Sequence, residues 1–295
     1  MPSQQKTVFE SADSIGEGDS FLVPDFLPPE LSEHAFQCVR DEVKWHRMVH
    51  RGGEVPRLVA VQGFVHEDGS YPIYRHPADE SPPLLPFSPT VELIRQHVEE
   101  TLHHPVNHVL IQHYRTGADY ISEHSDKTID VVRGSNIVNV SLGARRVMTL
   151  RTKKDAHRAS ADASEGRASQ RIPLPHNSMF VMGLETNMRW LHGIRTDKRP
   201  EKTKSAEERF ANGERISLTF RHIGTFLTLG DTHIYGQGAR GKTREGAQPV
   251  VRGGSEAQAL IDAFGRENHS SEFDWDAAYG VGSDVLHFSE RADAL

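Results

Sequence analysis

The side chains best suited to chemistry in this 295-residue chain are its histidines, of which there are 18. His124 and Asp126 stand out because they alternate in "ISEHSDK", where a strand-like apolar run gives way to a polar loop. On an extended segment residues i and i+2 point to the same side, so this imidazole and this carboxylate can reach one ion. The segment 66–69, "HEDG", has the same spacing but ends in glycine, which predicts a hairpin turn instead of a metal site.

A third metal ligand is available at His192 in "RWLHGI", a strand-like segment whose apolar setting favours a fixed ring. Taken alone, such a histidine is more often a hydrogen-bonded core residue than a ligand. Two histidines and one carboxylate on one face form the ligand set of non-haem Fe(II) oxygenases, which leaves positions open for oxygen and a co-substrate. Zinc accepts the same three ligands, so the triad by itself leaves two metals open.

A second group of polar side chains lies on one face of "RISLTFR", residues 215–221. Alternation along a strand sends Arg215, Ser217, Thr219 and Arg221 to one side and the apolar residues to the other. Two arginines inside a barrel need an anionic partner, since an unpaired buried guanidinium is very costly. A dicarboxylate such as 2-oxoglutarate would suit them, because the guanidinium fork matches a carboxylate. An ordinary sheet face with exposed arginines is the alternative.

The elements that must position these residues are two helices followed by a succession of short strands. Apolar residues at helical spacing predict amphipathic helices in 28–45 and 88–102, each with proline in its first turn. Six β-prone runs follow the second helix: "HVLIQHY", "NIVNVSL", "RRVMTLR", "SMFVM", "MRWLH" and "RISLTFR". This order predicts an α+β, mainly β fold, an antiparallel sandwich or jelly roll with helices packed on one face.

The organisation of the chain follows from its polar and glycine-rich stretches. Residues 1–20 are polar and aperiodic and predict a disordered lead, and one domain is expected over 21–228. Two polar insertions, 152–170 and 196–214, are typical of mobile surface loops. Residues 229–295 predict a Gly-rich linker and an extension that packs on the core.

The composition of the chain limits the kinds of partner that it can bind. A net charge of −7 argues against a protein held to nucleic acid by overall positive charge, although a local basic patch remains open. The single cysteine, Cys38, excludes an intramolecular disulfide, and no apolar run suits a signal peptide or a membrane span. We therefore expect an intracellular protein of the cytoplasm or nucleus. We also expect it to be monomeric and to have no membrane partner.

The segment 236–243, "GQGARGKT", matches the P-loop pattern for ATP or GTP. A P-loop requires a helix that starts at the Lys-Thr pair, and the following "REGAQPVVRGG" contains proline and two adjacent glycines. We therefore predict a Gly-rich turn and no ATP binding.

Four stretches, taken together and in order, resemble the AlkB-like Fe(II)/2-oxoglutarate dioxygenases: "HYRTGADYISEHSDK", "IVNVSLGARRVMTLR", "SMFVMGLETNMRWLHGI" and "RISLTFR". The resemblance extends upstream through "VPRLVAVQG" and "YPIYRH" and covers about 54–226. It implies a double-stranded β-helix and an enzyme that uses Fe(II), 2-oxoglutarate and O2. It also implies oxidative decarboxylation to succinate and CO2 coupled to hydroxylation of a substrate C–H bond, with no separate acid–base residue.

The resemblance also implies roles for single residues. His124, Asp126 and His192 would bind iron, and Arg215 would hold the distal carboxylate of 2-oxoglutarate. Arg221 would lie near the iron-side carboxylate or order the site. Tyr114 matches a co-substrate tyrosine, while Gln112 and Ser217 stand where the repair enzymes carry asparagine, and both retain hydrogen-bonding capacity.

Two substrate classes follow. The first is alkylated nucleic acid, demethylated with release of formaldehyde. Tyr71 and Tyr74 would either stack on a flipped base or pack beneath a loop. The insertion 152–170 offers four basic residues that could contact phosphates: Lys153, Lys154, Arg158 and Arg167. The second is a small molecule or peptide, as for a tailoring hydroxylase. It is favoured by the acidic net charge and by Lys127-Thr128-Ile129, which stand where the repair members of the family carry acidic residues that contact the damaged base. Thr128 is a candidate substrate contact in either class.

Overall fold

The computed structural model describes residues 14–50, 53–158 and 167–288. Six helices are present in these ranges: α1 Pro29–Glu42, α2 Pro89–Leu102, α3 Lys154–Arg158, α4 Leu184–Arg189, α5 Gly254–His269 and α6 Trp275–Tyr279. Short 3₁₀ segments lie at Glu201–Thr203, Glu207–Gly213 and Leu229–Asp231. No helix within these ranges is both long and apolar enough to cross a membrane.

Seventeen strands lie in the same ranges. They are β1 Phe21–Val23, β2 Val49–His50, β3 Gly53–Glu54, β4 Leu58–Gly63, β5 Tyr71–Pro72, β6 Leu84–Leu85, β7 His108–Tyr114, β8 Ile121–His124, β9 Ile137–Gly143, β10 Arg146–Thr152, β11 Ser169–Leu174, β12 Ser178–Met182, β13 Trp190–Ile194, β14 Arg215–Arg221, β15 Thr225–Leu227, β16 His233–Gly236 and β17 Gln248–Pro249.

Two sheets form a double-stranded β-helix, as the sequence predicts. The larger has the order β1-β12-β9-β14-β7-β4-β6, and the smaller has the order β11-β10-β13-β8. Strand β14 lies at the centre of the larger sheet because it pairs antiparallel with both β7 and β9. The predicted "RISLTFR" strand is therefore the middle of the molecule, flanked on both sides by other predicted strands.

Alternation along these strands divides the larger sheet into an apolar and a polar face. Ile216, Leu218 and Phe220 are fully buried and pack with the inward residues of α1 and α2, among them Val39 and Ile94. Each such side chain contributes about 1.5–3 kcal/mol when it leaves water. The helices therefore cover one face of the sheet, as predicted, and leave the opposite face of β14 directed at the smaller sheet.

Residues 229–288, within the predicted linker and extension, contain two strands and two helices. Strands β16 and β17 extend a third sheet, β17-β16-β15-β5, and the "GQGARGKT" segment is a turn after β16. Lys242 donates through Nζ to the carbonyls of Gln237 and Ala239, and no helix starts at that residue. Helix α5 then packs on Ile129 through Leu260 and Phe264. The domain boundary at residue 228 stays a prediction.

The prediction of a disordered lead over 1–20 is wrong for its last part. Ile15 is buried beside the interior of the smaller sheet, and Asp19 accepts hydrogen bonds from the backbone N–H groups of Glu185 and Thr186 at the start of α4. An apolar side chain and a capping carboxylate are enough to fix a short polar segment, which periodicity does not reveal. Residues 1–13 lie outside the described residues.

The two insertions differ from simple loops. Residues 154–158 form α3 and 169–170 begin β11, whereas 159–166 lie outside the described residues. The second insertion contains two 3₁₀ segments, and Arg199 there donates to Asp197 and Glu208. The predicted run "MRWLH" is split between α4 and β13, with the helix ending at Arg189.

Candidate metal centre and co-substrate pocket

Three potential metal ligands meet where two strands of the smaller sheet run side by side. His124 ends β8, Asp126 follows it in the loop, and His192 lies opposite His124 in β13. Asp126 Oδ1 is 3.7 Å from Nε2 of each histidine, and one ligand atom from each residue lies within 4.8 Å of the others. Bonds of about 2.1 Å to a single ion can bridge two atoms 3.7 Å apart. The arrangement can hold a divalent metal.

Gly193 permits the close approach of these strands. A Cβ added to Gly193 would lie 2.9 Å from the carbonyl oxygen of Ile121 and 3.1 Å from the backbone nitrogen of Glu123. Both contacts are with backbone, which cannot move aside as a flexible side chain can. The glycine next to His192 is therefore what lets β13 bring this third candidate ligand against β8.

Hydrogen bonding and burial prepare the histidines to bind a metal. His124 donates from Nδ1 to the carbonyl oxygen of Ser122 at 2.8 Å, which leaves the Nε2 lone pair free on the side of Asp126. Burial lowers the pKa of His124, and burial together with His124 lowers the pKa of His192 to about 3. Both rings are therefore neutral at physiological pH, the form that ligates metals.

Asp126 stays ionised although it is buried. Burial alone would raise its pKa, but the charge and hydrogen bonds of Arg221 hold the pKa of Asp126 below its usual range. Arg221 donates from Nε and Nη2 to the same oxygen, Oδ2, at 2.9 and 2.6 Å. A buried carboxylate paired in this way keeps its second oxygen available to a cation.

Four successive backbone amides in the loop after β8 are each held by a side chain from elsewhere. The amide of Ser125 donates to Asn268, that of Asp126 to Asn187, that of Lys127 to the Tyr74 hydroxyl and that of Thr128 to Glu267, at 2.8–3.1 Å. Asn187 also donates back to the carbonyl of Asp126. The loop has no strand partner for these groups, so the four side chains fix its conformation instead.

Arg215 is a buried cation without a carboxylate partner among the described residues. Its Nη2 donates to Ser141 Oγ at 2.8 Å and to Asn139 Oδ1 at 3.1 Å, while Nε and Nη1 have no hydrogen-bond partner. Its guanidinium lies 5.3 Å from the ring centre of Tyr114. Burial lowers the pKa of Arg215 to about 10, so the group is still charged at neutral pH. An uncompensated guanidinium in this position fits an anionic ligand.

A cavity of about 420 Å³ joins the three candidate metal ligands to Arg215. Of the residues singled out from the sequence, Gln112, Tyr114, Ser217, Arg221 and Tyr74 line it. Tyr114 donates to Gln112 Oε1 at 3.3 Å, and Ser217 accepts from Asn139. The alternation of β14 thus places its polar residues where the sequence predicts them, inside the barrel.

Several residues singled out from the sequence lie away from the cavity, among them Tyr71, Thr128 and Lys153. Tyr71 is on β5 and donates to Asp231, because its strand belongs to the third sheet. Thr128 donates through its hydroxyl to Glu267 and does not line the cavity. Lys153 is buried and donates to the carbonyls of Glu267 and Ser270, so the prediction that it contacts phosphates is wrong. The side chain of Arg158 lies outside the described residues.

Several residues of the site are not among those predicted from the sequence. Asn139 and Ser141 could have been found, because alternation in "NIVNVSL" places both on the face that points inward with Ile137. Asn187 and Asn268 lie on helices far along the chain from the loop they hold, and no local pattern marks them.

Comparison with known proteins assigns the family. The family model described as "2OG-Fe(II) oxygenase superfamily" matches residues 19–221. The chain belongs to this superfamily. The superfamily uses Fe(II) and 2-oxoglutarate, and this structure fits both. Two neutral histidines and an ionised aspartate face one point, and a buried guanidinium with no carboxylate partner among the described residues lies in the same cavity.

Individual relatives of this chain include proteins of the AlkB group. DNA oxidative demethylase ALKBH2 from Homo sapiens is 35% identical over 140 residues, 47% of this chain and 48% of that protein. Alpha-ketoglutarate-dependent dioxygenase alkB homolog 3 from Bos taurus is 26% identical over 206 residues, 68% of this chain and 65% of that protein. The chain spans about half the length of the ALKBH2 relatives it matches. The solved structure of OsALKBH1 has a TM-score of 0.44 and 15% identity over 69% of this chain and 98% of that one.

Proposed function

We propose that this oxygenase removes N-alkyl groups from nucleic acid by hydroxylating the carbon attached to nitrogen. The observation that carries the proposal is the similarity to DNA oxidative demethylase ALKBH2, together with a cavity in which the metal ligands and Arg215 meet. When bound, Fe(II), 2-oxoglutarate and O2 supply the oxidation of a C–H bond with release of succinate and CO2. A hydroxylated N-methyl group then leaves as formaldehyde.

The chain's own residues bind and orient the reactants. His124, Asp126 and His192 would hold the iron, and Arg221 keeps Asp126 ionised and turned toward it. Arg215 would bind the distal carboxylate of 2-oxoglutarate through Nε and Nη1, the atoms that lack a partner.

The remaining polar residues of the cavity support this placement. Tyr114, Gln112 and Ser217 offer further hydrogen bonds beside Arg215. Because iron and co-substrate do the oxidation, no separate acid–base residue is required.

The substrate would enter beside Tyr74. This tyrosine is 6% exposed and lines the cavity, with the Arg221 guanidinium 4.0 Å from its ring centre. Its hydroxyl accepts a hydrogen bond from the backbone amide of Lys127, so the ring is held in one orientation at the end of the cavity where the metal would bind. A fixed aromatic wall of this kind suits a flat heterocycle removed from its stack.

The experiment measures succinate and formaldehyde with single-stranded oligonucleotides that carry one N-methyl base. Both products should form in equal amounts, require Fe(II) and 2-oxoglutarate, and disappear in His124→Ala. Activity with zinc in place of iron would contradict the metal assignment. Succinate without formaldehyde from any methylated nucleic acid, but with hydroxylation of a metabolite or peptide, would support the second substrate class.

The cellular location and the monomeric state stay predictions. Gel filtration of the purified protein at several concentrations would test the second of them.

A further inference from the structure

The residue after the metal-binding carboxylate places a positive charge at the cavity. Lys127 is 3% exposed and lines the same cavity as His124 and Asp126. Its Nζ donates to the carbonyl oxygen of Ser125 at 2.8 Å and to Asn268 Oδ1 at 3.3 Å. Among the described residues no carboxylate lies within 4.0 Å of this ammonium group. An ammonium has three N–H donors, so one remains for a ligand.

Helix α5 holds this ammonium in place. Asn268 Oδ1 accepts both the Ser125 amide, at 3.0 Å, and Lys127 Nζ, and Asn268 itself lines the cavity. The helix lies beyond residues 19–221, the part matched by the superfamily model. The position of Lys127 is therefore set by a part of the chain that the superfamily model does not include.

The charges around the cavity are predominantly positive. Besides Lys127, its charged lining side chains are Arg57, Arg215 and Arg221 as cations and Asp126 and Glu54 as carboxylates. Asp126 is engaged by Arg221, and the side chain of Glu54 is 45% exposed at the mouth and lies 3.2 Å from Arg47.

Arg57 adds to the excess of positive charge around the cavity. It is 8% exposed, donates from Nη1 to the carbonyl of Tyr120, and has no partner for Nε. A cationic substrate in this cavity would therefore meet two buried cations, Arg57 and Lys127, without a free carboxylate.

Alkylated bases divide into two classes by charge. A methyl group on a ring nitrogen that carries hydrogen in the normal base, as in 3-methylthymine, leaves the base neutral and flanked by carbonyl oxygens. A methyl group on a ring nitrogen that carries a lone pair, as in 3-methylcytosine, makes the base cationic. A fixed ammonium donor attracts the carbonyl oxygens of the first class and repels the second.

We propose that Lys127, held by Asn268, makes this enzyme selective for neutral, carbonyl-bearing N-alkyl bases over cationic ones. The proposal rests on the proposed function, because it names the substrate class within nucleic acid demethylation. Lys127 acts as a specificity-determining residue that contacts the base, separate from the residues that hold iron and 2-oxoglutarate.

The test compares two oligonucleotides of one sequence, one with 3-methylthymine and one with 3-methylcytosine. Binding is measured by fluorescence anisotropy with the protein loaded with Mn(II) and 2-oxoglutarate under anaerobic conditions, and formaldehyde is measured in a parallel aerobic assay with Fe(II). The wild-type protein should bind the neutral base about tenfold more tightly or better. Lys127→Gln should bring the two within about threefold, Lys127→Glu should reverse the order, and Lys127→Arg should keep it.

The outcomes separate the two proposals. A wild-type preference for 3-methylcytosine, or a preference that Lys127→Gln leaves unchanged, overturns the selectivity while demethylation stands. Succinate production with no formaldehyde from either oligonucleotide overturns the proposed function and this inference with it. If Lys127→Gln does not fold, Lys127→Glu carries the same test, because a preference for the neutral base that Lys127→Glu leaves unchanged also overturns the proposal.

Discussion

Arg221 and Asp126 form a buried ion pair in which one carboxylate oxygen receives both guanidinium contacts. Nε and Nη2 of Arg221 lie 2.9 and 2.6 Å from Oδ2, whereas Oδ1 faces Nε2 of His124 and of His192 at 3.7 Å. The two oxygens of Asp126 are thus divided between a permanent cation and the proposed metal position. Orientation of a ligand by such a partner commonly affects metal affinity by 10–100-fold.

Replacing Arg221 should weaken metal binding, and more so in acid. In Arg221→Gln the burial of Asp126 remains but its cationic partner is lost, so the pKa of Asp126 rises and protons compete with the metal. We expect Co(II) affinity to fall about 10–100-fold at pH 8 and further at pH 6, measured by calorimetric titration. Arg221→Lys keeps the positive charge, so its Co(II) affinity should lie between that of the wild-type protein and that of Arg221→Gln. Equal losses at both pH values would contradict this role.

Replacing Arg215 should weaken the binding of 2-oxoglutarate without lowering the stability of the fold. The guanidinium is buried without a carboxylate, so Arg215→Met should leave the melting temperature of the metal-free protein unchanged or raise it. The rise in melting temperature on adding 2-oxoglutarate should disappear, and its Kd should increase more than tenfold. A variant that keeps wild-type 2-oxoglutarate affinity would show that the co-substrate binds elsewhere.

The difference between what the sequence predicts and what it misses is physical. The strand Arg215–Arg221 is predictable because side-chain alternation alone assigns its polar face, and the structure puts that face in the cavity. The partners of the loop are not predictable, because Asn187 and Asn268 reach it across 61 and 143 residues of chain. Such pairs depend on how helices pack on the barrel, which no local spacing encodes. Tyr71 shows the same limit, since only sheet topology reveals that it lies outside the cavity.

Glu267 should be important for stability through the hydrogen bonds it accepts. Its carboxylate receives the amide and hydroxyl of Thr128 and the hydroxyl of Tyr279. Glu267→Ala leaves these buried donors unsatisfied, so we expect a loss of about 3 kcal/mol in the free energy of unfolding, measured with urea. Glu267→Gln keeps an acceptor for Thr128 and should cost less. Equal losses in the two variants would argue for a packing role only.

His108 should make the protein less stable in acid. It is 3% exposed, its Nδ1 has no hydrogen-bond partner among the described residues, and burial followed by the charge of Arg221 lowers its pKa well below the usual value. The folded state therefore holds His108 neutral, whereas the unfolded chain binds a proton near pH 6.5. This stability is present above about pH 6.5 and is lost as the pH falls below it.

The measurement is the free energy of unfolding between pH 7 and pH 5. The wild-type protein should lose stability over this range, and His108→Phe should reduce the slope by up to about 1.4 kcal/mol per pH unit. A slope unchanged by the substitution would assign the acid sensitivity to other buried histidines.

The hydrogen bond that Asn268 accepts from the loop after His124 also has a consequence for synthesis of the protein. The two ends of that hydrogen bond are 143 residues apart, and translation at about 5–20 residues per second needs roughly 7–30 seconds to cover this distance. During this interval the nascent chain already carries His124 and Asp126, while the side chain that steadies the loop has not been synthesised. Uptake of iron at the proposed site in its final geometry would therefore be a late event in biogenesis, after the barrel strands have emerged.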